Sequence, residues 1–165
     1  MSDDVFRILY KSDIAIAGSR REIEQVVDHI VTLARGRNAE MGITGALIVL
    51  PEHFVQALEG PQSSIEEVFE SICLDPRHHN VKLVEVTDAP ERTFGPWSMV
   101  RVPDDFTDDT AAGPREDVWL TADMDAAQVL RAMREALHRN CGAQTEKTDA
   151  ARRRFLASIR PRSSA

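Results

Sequence analysis

Tyrosine is nearly absent from this chain: one residue, Tyr10, in 165. Aromatics as a whole make up 5%, so aliphatic side chains must build the core. Cysteine is scarce too. Cys73 and Cys141 form no C-x-x-C pair and no disulfide framework, which fits reduced thiols in a cytoplasmic protein. No apolar run approaches the ~20 residues a membrane span needs, and no basic segment followed by an apolar stretch opens the chain. Neither a membrane nor export is therefore expected. Basic residues are outnumbered, 20 Lys+Arg against 27 Asp+Glu, for a net charge of −7. A chain so acidic is a poor nonspecific partner for nucleic acid. The patterns G-x-S-x-G, H-E-x-x-H and the P-loop are missing. His53 and the adjacent His78 and His79 have no ladder of cysteines or carboxylates around them, and neighbouring imidazoles do not easily share one ion. They read as solvated turn residues, with no metal site.

What is present is unevenly arranged. Residues 1–100 carry 9 basic and 16 acidic side chains, residues 101–130 carry 2 and 8, and residues 131–165 carry 9 and 3. The reading is a domain over residues 1–102, an acidic connector over 103–125 and a basic C-terminal helical extension over 126–165.

Val5–Tyr10 alternates as a strand, with Phe6, Ile8 and Tyr10 on one face. Ser19 and Glu22 have capping-box spacing. The helix that follows carries Ile23, Val27, Ile30, Val31 and Ala34 as an apolar stripe, with Gly36 as its expected stop. Ile43–Val49 is almost wholly apolar, the mark of a strand buried on both faces. Phe54–Glu59 pairs with it as a hairpin. A second helix is expected with Ser64 and Glu67 as its capping pair and a stop at Asp75. Val81–Thr87 and Trp97–Val102 read as further strands. The order β-α-β-β-α-β-β gives an α+β fold on the ferredoxin-like plan, with two helices on one face of the sheet. The doubly apolar strand needs cover on its other face as well. Ala126–Arg139 and Asp149–Ile159 are the candidates, the first capped by Asp123 or Asp125.

Three polar residues stand where the pattern asks for apolar ones. Gln56 lies between Phe54 and Leu58 on a core-facing row. A buried amide left unpaired costs about 1–3 kcal/mol, so it requires partners. Tyr10 ends the row of Phe6 and Ile8, which turns its hydroxyl inward. Asn38 follows the first helix, where Asn is often just a C-cap or turn residue.

Five stretches carry a resemblance: Ile8–Ser12 (I-L-Y-K-S), Asn38–Leu47 (N-A-E-M-G-I-T-G-A-L), Phe54–Gly60 (F-V-Q-A-L-E-G), Asp75–His78 (D-P-R-H) and Trp97–Met99 (W-S-M). In this order and spacing the sequence resembles the BLUF family, domains that sense blue light using flavin, in a short stand-alone form. The resemblance implies an isoalloxazine ring between the two helices, walled by Ile30 and Ile72. It implies that Asn38 holds the polar edge of the ring, that Ser12 orients Asn38, and that Asp75 and Arg77 meet the ribityl or C2-carbonyl side. Arg37, beside Asn38, is equally open to a phosphate contact and to a solvated role. Gln56 is expected to bridge flavin and Tyr10, with either Trp97 or Met99 behind it. FAD is the usual choice of the family, although the apolar groove selects only for the ring, which FMN shares.

The implied function is that of a photoreceptor, not an enzyme. On blue light an electron passes from Tyr10 to the excited ring, and the phenol sheds its proton through Gln56. An amide both donates and accepts, so it can return with a changed hydrogen-bond pattern. The lit state is then slightly red-shifted and reverts in the dark. Output is expected through the C-terminal helices, a homo-oligomer or a partner protein. Two alternatives compete: a flavin-free ferredoxin-like binding or oligomerisation module, and an acylphosphatase-like hydrolase. The hydrolase lacks the anion-cradling loop with an arginine that it would need after the first strand.

Overall fold

A computed structural model of the chain describes residues 4–102 and 125–138. Apart from Asp125, the expected acidic connector lies outside the described residues, as does the second C-terminal helix expected over Asp149–Ile159.

The elements in order are β1 (Val5–Ile14), α1 (Arg20–Glu40), β2 (Thr44–Val49), β3 (His53–Gly60), α2 (Gln62–Leu74), β4 (His78–Ala89) and β5 (Val100–Arg101). A further helix, α3, covers residues 126–138. The five strands form one sheet in the order β4-β1-β3-β2-β5. Its first four strands are antiparallel to their neighbours, and β5 joins β2 in parallel. This is the ferredoxin-like plan with one strand added at an edge.

The alternation in β1 and β3 divides the core into two layers. Ile8, Tyr10, Leu47, Phe54 and Leu58 face α1 and α2, where they meet Val27, Val31, Ile65 and Val68. Leu9, Ala46, Ile48, Val55 and Ala57 face the opposite way and are covered by Val129, Leu130, Met133 and Leu137 of α3. The doubly apolar β2 thus has the second cover its sequence demands, and the stripe of α3 is buried within its own chain. Asp125 caps α3, its Oδ1 accepting from the Ala127 N–H at 3.0 Å.

At the start of α1 the capping box forms as expected: Glu22 N–H donates to Ser19 Oγ, and Ser19 N–H to Glu22 Oε2. The expected stop at Gly36 does not occur. The helix runs through it to Glu40. An added Cβ at Gly36 would meet nothing within 4 Å, so this glycine is solvent-facing and costs only about 1 kcal/mol relative to alanine. The turn beyond it is held by contacts that Arg37 and Asn38 make. The break comes instead at Gly42, whose φ of +68° is left-handed. Nor does Ser64 cap α2. The helix begins at Gln62 after Pro61, with no side-chain cap. Only Val100 and Arg101 of the expected strand Trp97–Val102 are in ladder geometry, because the chain reaches β2 through a turn in which Trp97 N–H bonds to Phe94 O.

Candidate functional site

Between α1 and α2, over the sheet, lies a cavity of about 400 Å³, within the size range of small-molecule and cofactor sites. Ile30 and Ala34 of α1 and Val68 and Ile72 of α2 form its apolar walls, and Leu47, Phe54 and Leu58 of the sheet form its floor. The polar groups at this cavity are Arg37, Asn38, Gln56, Ser71, Asp75, Arg77 and His78.

Tyr10 and Gln56 are cross-strand partners in the β1–β3 ladder, so their side chains stand side by side on the helix face. The Tyr10 hydroxyl donates to Gln56 Oε1. Gln56 Nε2 points the other way and donates to Met99 Sδ at 3.5 Å. Tyr10 is fully buried, Met99 is 2% exposed and Gln56 7%. Burial pushes the phenol far above its usual range, and the nearby Cys73 and Asp75 push in the same direction. The phenol therefore holds its proton and acts as donor.

Met99, and not Trp97, lies beside Gln56 in this structure. Trp97 packs into the opposite layer, its ring centroid 6.1 Å from that of His138 on α3. The two residues are separated by one position and serve opposite faces of the sheet.

Asn38 is buried in the last turn of α1, not in a turn after it. Its Nδ2 donates to Ser98 O at 2.9 Å, and its own carbonyl accepts from Ile43 N–H. Arg37, at the rim, reaches across to α2 and donates to Glu67 Oε1 at 3.3 Å and Ser71 Oγ at 3.2 Å. Asp75 and Arg77 pair through several bonds, the shortest from Arg77 Nη2 to Asp75 Oδ2 at 2.5 Å. That guanidinium holds the Asp75 carboxyl below the ordinary value.

Ser12 departs from expectation. Its hydroxyl is hydrogen-bonded to His78 Nδ1 at 2.8 Å, not to Asn38, because residue 12 sits near the β4 end of the cavity. His78 is not the solvated turn residue expected from sequence but half-buried cavity lining. Its ring lies 4.9 Å from Phe54 and 6.4 Å from Tyr10. The signal was present in the D-P-R-H stretch, where His78 adjoins Arg77. His79 is exposed, and His53 pairs with Asp13 at 2.9 Å.

Seven of the eight residues expected to hold a cofactor line this one cavity: Ile30, Arg37, Asn38, Gln56, Ile72, Asp75 and Arg77. Ser12 is the exception. The cavity suits a flat, largely apolar ring with one polar edge. Apolar side chains on two helices face its plane, while amides and a guanidinium gather at the margin. The donor set therefore fits a flavin.

Comparison with known proteins agrees. The family model for BLUF, described as sensors of blue-light using FAD, matches residues 5–100. The chain belongs to the BLUF family. A BLUF domain senses blue light with a flavin, and neither the flavin-free module nor the acylphosphatase-like hydrolase is what the match supports. The blue light- and temperature-regulated antirepressor BluF of Escherichia coli (strain K12) is 35% identical over 92 residues, which are 56% of this chain and 22% of that protein. Photoactivated adenylate cyclase subunit beta of Euglena longa is 37% identical over 71 residues, 42% of this chain and 8% of that protein. The chain thus spans less than a quarter of the length of these curated relatives. The dark-state structure of BlrB, a BLUF protein, superposes with a TM-score of 0.65 at 28% identity, over 82% of this chain and 99% of that one. The ground-state structure of BlsA does so with a TM-score of 0.64 at 27% identity, over 79% and 87%. No helix among the described residues of this BLUF domain is long and apolar enough to cross a membrane.

Proposed function

We propose that the cavity between α1 and α2 holds the flavin, as FAD, and that Tyr10, Gln56 and Met99 form the switch that reports its excitation. The observation that carries this reading is the buried relay from Tyr10 Oη to Gln56 Oε1 and from Gln56 Nε2 to Met99 Sδ, laid against the cavity floor. Bound flavin supplies the absorption of blue light and, once excited, one-electron oxidising power. Ile30 and Ile72 position the ring and exclude water. Asn38 binds its polar edge, and the Asp75–Arg77 pair holds the ribityl or C2-carbonyl side. Arg37 stands at the rim, within reach of a phosphate.

Tyr10 keeps its proton in the dark because burial penalises the phenolate. Loss of an electron makes the same phenol strongly acidic, and Gln56 Oε1 is the acceptor already in place. An amide that takes this proton at oxygen and gives one up from nitrogen to the group that accepted the electron would settle in a new orientation once electron and proton return to Tyr10, with no net change of charge. Nε2 then leaves Met99 Sδ, a weak acceptor that gives it up at little cost.

Output follows from the short run of chain from Trp97 to Met99. Met99 touches Gln56, while Trp97, two residues earlier, touches α3. A shift at Gln56 can thus bias the docking of α3, and a coupling of about 1–3 kcal/mol suffices for a switch. The domain acts by contact with a partner protein and not by turnover, in a cytoplasmic setting.

The test is the absorption spectrum of the purified protein before and after blue light. Bound flavin with a small, dark-reversible red shift is expected. A colourless protein that FAD or FMN cannot reconstitute would sink the reading.

A further inference from the structure

Among the described residues, Glu59 is the one carboxylate buried completely, at 0% exposure. It sits on β3 three residues after Gln56 and faces the opposite layer, on the same side of the strand as Ala57. A charge in such a place must be fully paired, since burying it otherwise costs several kcal/mol. Its two oxygens receive four donors. Oε1 accepts from Arg7 Nε at 2.9 Å and from Thr93 N–H at 2.8 Å. Oε2 accepts from Phe94 N–H at 3.0 Å and from Thr44 Oγ1 at 3.3 Å.

Two of these donors belong to the connection between β4 and β5. Arginines fasten the same connection from both sides. Arg7 Nη2 donates to Glu91 O at 3.2 Å and Thr93 Oγ1 at 2.8 Å. Arg92 donates to Thr44 Oγ1, Glu59 O and Gly42 O at 2.8–3.2 Å. From this anchor the chain passes through backbone bonds, Trp97 N–H to Phe94 O at 2.9 Å and Gly45 N–H to Trp97 O at 3.0 Å. Two residues later it delivers Met99 to Gln56.

We infer that Glu59 is a positioning residue of the photoswitch. Its carboxylate fixes residues 93 and 94, and through them sets where Trp97 meets α3 and where Met99 meets Gln56. It does not touch the cavity. The inference rests on the switch proposed above, and it adds the element that holds the start of the run leading to Trp97 and Met99 against the strand bearing Gln56. With that hold loosened, Gln56 returns to its dark arrangement over a lower barrier.

The test uses the full chain and two readouts: hydrogen exchange in the dark and the lifetime of the lit state. The variants are Glu59→Gln, which leaves an NH₂ facing donors, and Thr44→Val, which removes one donor and is mild enough to fold if the first does not. Ile65→Val, a one-methyl truncation in the α2 core at a residue that does not line the cavity, serves as a destabilised control. Faster exchange at the Thr93 and Phe94 amides is expected in Glu59→Gln. Its lit state should decay about two- to thirty-fold faster, the range of coupling effects from residues outside a site. Thr44→Val should move the same way by less, and Ile65→Val should not move. Unchanged decay in the Glu59 and Thr44 variants beside a wild type that switches would overturn the positioning role alone. Equal acceleration in Ile65→Val would overturn it too, as a mere effect of stability. A wild type that shows no red shift would overturn the switch itself.

Discussion

Tyr10 and Gln56 are paired directly across two antiparallel strands, and the phenol donates to the amide oxygen inside the core. Because Tyr10 is the sole tyrosine, every tyrosine signal of this protein reports that one bond. Light-minus-dark infrared spectra of protein grown on ring-deuterated tyrosine should shift only bands of this phenol. Tyr10→Phe should retain flavin and lose the red shift. It also leaves Gln56 Oε1 without its donor, at a cost of about 1–3 kcal/mol measurable by urea unfolding.

Met99 and Trp97 should separate in their effects. Met99→Leu keeps the volume but removes the sulfur that accepts from Gln56 Nε2, so the lit-state lifetime should change while stability falls by less than about 1.5 kcal/mol. Trp97→Phe should leave the lifetime near that of wild type and loosen the contact with His138, read as faster hydrogen exchange in α3. A reversed pattern would place tryptophan behind the glutamine.

Stability should fall on acidification in two stages. Burial, opposed by Asp75 and aided by Arg77, holds the His78 imidazole below its ordinary 6.5. The unfolded chain then binds the extra proton first, so this contribution is complete above 6.5 and is lost as the pH falls below it. The carboxyl of Asp75, held down chiefly by its bond to Arg77, contributes above 3.8 and loses that contribution as the pH drops through its lower folded value. Urea midpoints for His78→Gln should lose the slope that sets in as the pH falls below 6.5 and keep the acid limb.

Gly45 tests the packing of the hairpin. A Cβ there would lie 2.3 Å from Ala57 O, so β2 and β3 approach too closely for any side chain. Gly45→Ala should cost about 1–3 kcal/mol or more and disturb the bond from Gly45 N–H to Trp97 O. Thermal unfolding checks the first effect, and amide exchange at Gly45 checks the second.

Much of this was legible in the sequence, and the reasons differ by element. Alternation placed Tyr10 and Gln56 on one face because a strand has no other way to dispose of its side chains. The stripe of residues 126–138 and the doubly apolar β2 called for each other across the sheet. The end of α1 was not legible. Gly36 carries a local preference, but the helix continues because Asn38 finds Ser98 O and Arg37 finds α2, both remote in sequence. The brevity of β5 and the placement of Trp97 away from Gln56 also rest on contacts remote in sequence, since Glu59 holds the Thr93 and Phe94 amides and Trp97 N–H turns back to Phe94 O. Ser12 and His78 join through the register of β1 and β4, which contains irregularities at Leu9–Tyr10 and Lys11–Asp13 that alternation alone does not reveal.

The most direct measurement is the light-minus-dark absorption spectrum of Gln56→Leu beside the wild type. Leucine fills the site but neither donates nor accepts, so flavin should remain bound while the red shift disappears. A Gln56→Leu protein that shifts as the wild type does would contradict the role given to the amide.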